Sequence, residues 1–171
     1  KTGRTTDANH DPCLISNKDW SSGSNKRFVI AVEGPNCELN VGEGVNRVDV
    51  DFGIVKMGRW VHLAVSVDRD GDIVTYKDGV EASRGSATGI GEIDSGLGLK
   101  IGQDGTGKYS KWFQGQMADV RLWNRVRSRE EICATLNKRL TSQESGLIGY
   151  WPLNEINIKG ELADLAGSQH G

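Results

Sequence analysis

The sequence predicts an all-β fold: a two-sheet antiparallel β-sandwich with one short amphipathic helix near residues 128–140. Three observations lead there. Short segments of alternating apolar and polar residues recur along the 171 residues. Turn-forming residues separate them, with glycine abundant at 23 and proline rare at 3. Only one stretch carries a helical period. Many short strands with a single helix imply two packed sheets.

Taken in order, CLIS (13–16) is a short strand. The polar loop SNKDWSSGSNKR follows it, and FVIAV and CELNV then form a hairpin across EGPN. In RVDVDF, Val48, Val50 and Phe52 share one face, and Asp49 and Asp51 share the other. The next strand, WVHLAVSV (60–67), puts Val61, Leu63, Val65 and Val67 on one side and Trp60, His62, Ala64 and Ser66 on the other.

The stretch DRDGDIVTYKDG (68–79) resembles a calcium loop until its positions are counted. An EF-hand loop needs glycine at its sixth position and a bidentate Glu at its twelfth. Here those positions hold Ile73 and Gly79. The better reading is two hairpin turns. Asp70-Gly71 suits a type I′ turn, and Asp78-Gly79 turns the chain into VEAS. Further strands are expected over LGLKIG (97–102), MADVRLWN and LIGYWPL, with flexible connections at GSATGIGEIDSG and QDGTGKYSK. The helix is SREEICATLNKRL. Ser128 and Glu131 fit a capping box, and Ile132, Leu136 and Leu140 recur at four-residue intervals. Lys138 and Arg139 suit a last turn, where the helix dipole favours cations.

The length fits one domain over residues 1–171. The formal net charge is −2, and no Lys/Arg run exists, which argues against nucleic acid as a partner. No apolar run approaches the ~20 residues of a bilayer span, so membrane insertion by a helix is not expected. The 3 cysteines are Cys13, Cys37 and Cys133, and no two have zinc-pair spacing. If FVIAV lies between the other two strands, Cys13 and Cys37 are ~9–10 Å apart, beyond disulfide reach. Buried small thiols are the expectation.

Five motifs in order now carry a resemblance: WVHLAVSVD, YKDG, LKIGQDGTG, FQGQMADVRLWNRVRSREEI and LIGYWPLNE. Together, over roughly residues 13–155, the chain resembles the laminin-G-like and pentraxin-like jelly rolls of the concanavalin A-like lectin/glucanase superfamily. The resemblance implies a secreted or cell-surface, noncatalytic module. Such a module binds glycan or glycoprotein, often with calcium, beside other domains of a larger host protein. It also implies packing roles for Trp60, Trp123 and Trp151. Only Lys1-Thr2-Gly3 remains of an expected first strand, and ADLAGSQHG resembles a link to a further one. The expectation is therefore a piece of a longer protein with terminal strands missing and a leader removed.

Catalytic patterns are absent from the sequence: no G-x-S-x-G, no H-E-x-x-H and no E-x-D-x-x-E triplet. Asp49 and Asp51 read as a solvated strand face, and His62 reads as a structural histidine. For a ligand site, aromatics in polar loops are the informative residues. Trp20 sits in SNKDWSSGSN, and Tyr109 and Trp112 sit in GTGKYSKWF. Their neighbours Asn17, Lys18, Asp19, Asn25, Gln103, Asp104 and Thr106 are polar and expected to stay exposed; with Asn17, Asp19, Asn25, Gln103 and Thr106 the aromatics form the expected carbohydrate-binding set, provided both loops share one end of the sandwich. Trp20 or Trp112 capping the core is the alternative. For calcium, Asp104 in GQDGTG is the first candidate, with Asp19 reaching it from the facing loop. A structural or adhesive protein–protein module is the competing function, and a hydrolase is a distant third.

Overall fold

The computed structural model describes residues 11–56, 58–154, 156 and 162–167. The expectations resting on Lys1-Thr2-Gly3 and on residues 168–171 lie outside the described residues. The chain divides into two compact units, Lys1–Gly115 and Gln116–Gly171.

The first unit is a sandwich. Strands β1 (Cys13–Ser16), β2 (Arg27–Glu33), β3 (Asn36–Gly42), β4 (Arg47–Ile54), β5 (Leu63–Val67), β6 (Asp72–Lys77), β7 (Val80–Ser86) and β8 (Lys100–Ile101) build it. One sheet has five strands in the order β4-β3-β2-β1-β8, and the other has three in the order β5-β6-β7. Every pairing is antiparallel. Alternation decides which side chains meet between the sheets. Phe28, Ile30 and Val32 pair with Val41, Leu39 and Cys37, and Val41 and Leu39 pair in turn with Val48 and Val50. This face joins Phe52, Leu63, Val65 and Ile73 in the main core. Full burial of each large apolar side chain contributes about 1.5–3 kcal/mol. Thr75, fully buried, donates its hydroxyl to the Asp51 carbonyl of the opposite sheet at 2.5 Å. The reverse face of the five-stranded sheet carries a smaller cluster of Cys13, Val29 and Ala31.

The second unit holds β9 (Val120–Trp123), α1 (Arg129–Thr135) and β10 (Leu147–Trp151). Strands β9 and β10 pair antiparallel, and Leu140, Leu147 and Tyr150 pack with Trp123 and Ala166. The capping box forms as expected: Ser128 Oγ accepts from Glu131 N at 3.3 Å, and Glu131 Oε2 accepts from Ser128 N at 2.9 Å.

Several local expectations are corrected. The helix ends at Thr135, so Lys138 and Arg139 lie beyond it. The chain there tightens into Leu136 N→Cys133 O and Lys138 N→Thr135 O bonds. The Arg121 guanidinium takes the carbonyls of Thr135 (2.9 Å) and Lys138, supplying the cation that the last turn lacks. Strand β5 starts at Leu63 rather than residue 60, and Trp60 is 58% exposed rather than in the core. The 97–102 strand shrinks to Lys100–Ile101. Cys13 and Cys37 are buried thiols on β1 and β3 with β2 between them, as expected, but Cys133 is exposed. Burial pushes both buried thiols up to about 12.

The hairpin turns also differ. Asp78 and Gly79 have φ of 52° and 77° and join Lys77 directly to Val80, so this pair makes the two-residue turn expected of type I′. Neither Asp70 nor Gly71 enters the left-handed region. Their loop closes through Asp68 N→Asp72 O, and Asp68 Oδ1 accepts from Asp70 N at 3.1 Å, an Asx turn. A side chain at position 79 is therefore strained, while one at 71 meets only the exposed Asp68 side chain, at 3.2 Å. Gly79→Ala is expected to lower stability by about 1–2 kcal/mol in urea unfolding. Gly71→Ala should change it by less than about half a kcal/mol, as ordinary surface substitutions do.

Candidate functional site

The site grows from the outer face of the five-stranded sheet. On β3 and β4 the residues pointing away from the core are polar: Glu38, Asn40, Asp49 and Asp51. Register sets Glu38 opposite Asp51 and Asn40 opposite Asp49. On β2 the same face carries Val29, Ala31 and Glu33. Trp20 and Tyr109 pack against the Cys13, Val29 and Ala31 cluster from above. Of these, Glu33, Glu38, Asp49, Trp20 and Tyr109 line a cleft of about 360 Å³, together with Asp11, Ser21, Ser22, Gly23 and Arg47. Ligand clefts start at about this size.

Two loops make the walls, and buried polar groups hold them. In the first, Lys18 is fully buried. Its ammonium donates to Gly23 O at 2.7 Å and to Asn40 Oδ1. Asn40 Nδ2 donates onward to Asp49 Oδ1 at 2.5 Å, and Arg47 Nε pairs with Asp49 Oδ2 at 2.9 Å. Burial lowers Lys18 to about 8, against the opposing pull of Asp49. Its ammonium also lies 5.7 Å from the Trp20 ring centroid. In the second loop, Gln103 accepts from Asp104 N at 2.7 Å and donates to Tyr109 O at 2.6 Å.

The loops clasp each other. Asp104 accepts from Trp20 N at 3.2 Å, and Gly105 N donates to Lys18 O at 2.8 Å. A Cβ at Gly105 would sit 2.6 Å from the Asn17 carbonyl carbon, so only glycine fits there.

The sequence-derived candidates now sort themselves. The two loops do come together. Trp20 and Tyr109 line the cleft. Asn17, Lys18, Gln103 and Asp104 are buried, against the expectation that these polar residues stay exposed. Asn17 Oδ1 accepts from Phe28 N at 3.3 Å, and Asn25 Nδ2 donates to Asp19 O at 3.0 Å. The Thr106 hydroxyl donates to Asp104 Oδ1 at 2.8 Å. These residues shape the loops rather than the cleft surface. Trp112 is 61% exposed and does not line the cleft. The His62 backbone N–H donates to Asp78 Oδ1 at 2.9 Å, and its carbonyl accepts from Asp78 N at 2.8 Å.

Sequence reasoning missed Asp11, Glu33, Glu38 and Arg47, and it read Asp49 only as a solvated face. The available signal was alternation. Glu38 lies between Cys37 and Leu39, so it had to point away from the core.

Calcium takes six to eight oxygen ligands. Asp104 Oδ1 already accepts from Thr106 and from Gly107 N (3.0 Å), and Oδ2 accepts from Trp20 N. Donor hydrogens occupy the directions a cation would need. Asp19 Oδ1 accepts from Ser21 N at 2.9 Å, and the Ser21 hydrogen bonds hold its carboxyl below the ordinary range. Among the described residues, no three His, Cys, Asp or Glu side chains are placed to hold a metal. The Asp19–Asp104 pair does not fit calcium, and Asp104 acts as the clasp between the loops.

The comparisons agree with this architecture. A family model, Laminin_G_3, of the concanavalin A-like lectin/glucanases superfamily, matches residues 4–133. The chain belongs to this family of laminin-G-like β-sandwiches. Among solved structures it is similar to a "putative carbohydrate binding protein" from Bacteroides ovatus ATCC 8483. That likeness has a TM-score of 0.72 and 17% identity, and it covers 92% of this chain and 46% of the other. The chain thus spans less than half of that structure, and the likeness shows the fold alone. An S-layer domain-containing protein from Clostridium thermocellum ATCC 27405 matches at 18% identity, covering 78% of this chain and 66% of the other. Its TM-score of 0.34 carries no argument. No curated protein matches the chain.

Two predictions follow from the geometry. Asp104→Ala removes three hydrogen bonds to a buried carboxylate and is expected to cost about 2–3 kcal/mol in urea unfolding. Millimolar calcium should leave the melts of both proteins unchanged. Glu38 is pushed up to about 7, first by burial and then by Asp49, Glu33, Asp51 and Asp11. Its folded value exceeds its unfolded one, so its contribution to stability is complete below about pH 4.5 and lost as pH rises through about 7. The melting temperature should therefore fall between pH 5 and 8, and Glu38→Gln should flatten that slope.

Proposed function

We propose that this chain is a noncatalytic carbohydrate-binding module of an extracellular or cell-surface protein. One observation supports the reading above the others: the cleft on the outer sheet face sets two aromatic side chains beside a floor of hydrogen-bonding groups. Sugars present apolar C–H faces to aromatic rings and hydroxyl edges to polar side chains. Trp20 and Tyr109 supply the former. Ser21, Ser22, Glu38, Arg47 and Asp49 supply the latter. The concanavalin A-like lectin/glucanases superfamily of the family model is in keeping with this class, and the solved structure of like fold is described as a "putative carbohydrate binding protein". The glycan docks reversibly on a preformed wall, since the loops are already fixed by buried hydrogen bonds.

Isothermal titration against a panel of soluble oligosaccharides tests this. Arg47→Ala and Trp20→Leu should weaken the best binder at least tenfold, with unfolding midpoints reported alongside. Trp112→Ala should leave affinity unchanged. Release of reducing ends from the bound sugar would contradict a noncatalytic module. Binding that survives both cleft variants would move the site elsewhere. Silence across the panel would favour a protein–protein role.

A further inference from the structure

The cleft is unevenly charged. Four carboxylates line it, Asp11, Glu33, Glu38 and Asp49, against one guanidinium, Arg47. Arg47 is already committed to Asp49, whose other oxygen takes Asn40. Among the described residues, no ion pair joins Asp11, Glu33 or Glu38. The other nearby cations already face the aromatic walls. Lys18 is buried beneath the wall on Gly23 O and Asn40, and Lys111 lies 5.7 Å from the Tyr109 ring centroid. Glu38 is half-buried on the sheet floor, with Glu33 from β2 and Asp49 and Asp51 from β4 as its charged neighbours.

Resting on the glycan reading, we infer that the cleft selects an amino sugar carrying a free ammonium group. A neutral sugar would leave Asp11 and Glu33, and Glu38 when ionised, uncompensated as water is displaced. A uronic or sulfated sugar would add like charge. A bare metal ion does not suit acids that fail to converge on a point. A pyranose with an ammonium substituent meets all the features at once. Its C–H face lies on Trp20 or Tyr109, and its ammonium takes carboxylate oxygens. The ligand charge favours ionised Glu38 while the sugar amine must keep its proton, so affinity peaks where both conditions hold and falls on either side.

The test compares three β-1,4-linked tetrasaccharides of glucosamine, N-acetylglucosamine and glucose by titration calorimetry near pH 7. They differ only in the group on carbon two. The glucosamine tetramer is expected to bind at least tenfold more tightly than the others, with affinity falling as salt rises. Glu33→Gln/Glu38→Gln should erase most of that preference, and Trp112→Ala should keep it. Equal binding of all three would overturn the charge selection while leaving the glycan reading intact. Binding of neutral panel sugars but none of these three would do the same. Tetralysine binding in the cleft while none of the sugars binds would overturn both.

Discussion

The buried ammonium of Lys18 is the constraint on which the site depends. An unpaired buried charge costs many kcal/mol, so the chain must bring acceptors to it. It does so with Gly23 O from the loop and Asn40 Oδ1 from β3. That requirement folds the 17–25 loop back over the sheet and seats Trp20 above Val29 and Ala31. It also orients Asn40, whose amide then fixes Asp49, which in turn holds Arg47. Gly42 completes the arrangement. A Cβ there would lie 2.7 Å from Lys18 Nζ and from the Ser24 carbonyl, so the loop crosses β3 only above a glycine. One charge thus couples a loop, a strand and two side chains of the cleft.

The second loop is subordinate to the first. Asp104 and Gly105 bind it to the backbone of Trp20 and Lys18, and Gln103 ties Tyr109 to the same segment. The aromatic walls are therefore set before any ligand arrives. Strands β2 to β4 serve two purposes by alternation. One face builds the core, and the other presents the floor of the cleft. Substitutions that spare the core face can retune the floor without unfolding the sandwich.

Much of the fold was legible in the sequence because alternation reports directly on burial. The β2–β3–β4 meander follows from it, and the capping box of α1 follows from the spacing of Ser128 and Glu131. Strand starts were less legible. The resemblance implied a packing role for Trp60, yet it is exposed, ahead of β5, which begins only at Leu63. Asp70-Gly71 suggested a type I′ turn, but an Asx turn at Asp68 took over there, and the left-handed two-residue turn formed at Asp78-Gly79 instead. The site was half legible. Aromatics in polar loops gave Trp20 and Tyr109. The carboxylates were missed because alternation names a residue's face, not whether loops rise over that face. Lys18 and Asp104 were misjudged for a related reason: charged residues are rarely buried, and the partners that permit it lie 22 and 84 residues away in sequence.

The account places ligand recognition on the outer face of the five-stranded sheet, between the two clasped loops. Backbone and indole resonances in a nitrogen–proton correlation spectrum, recorded while the best-binding oligosaccharide is added, test that placement most directly. The expected perturbations concentrate at Trp20 to Gly23, Glu33, Glu38, Arg47, Asp49 and Tyr109. Perturbations centred on Trp112, or confined to residues 116–171, would contradict it.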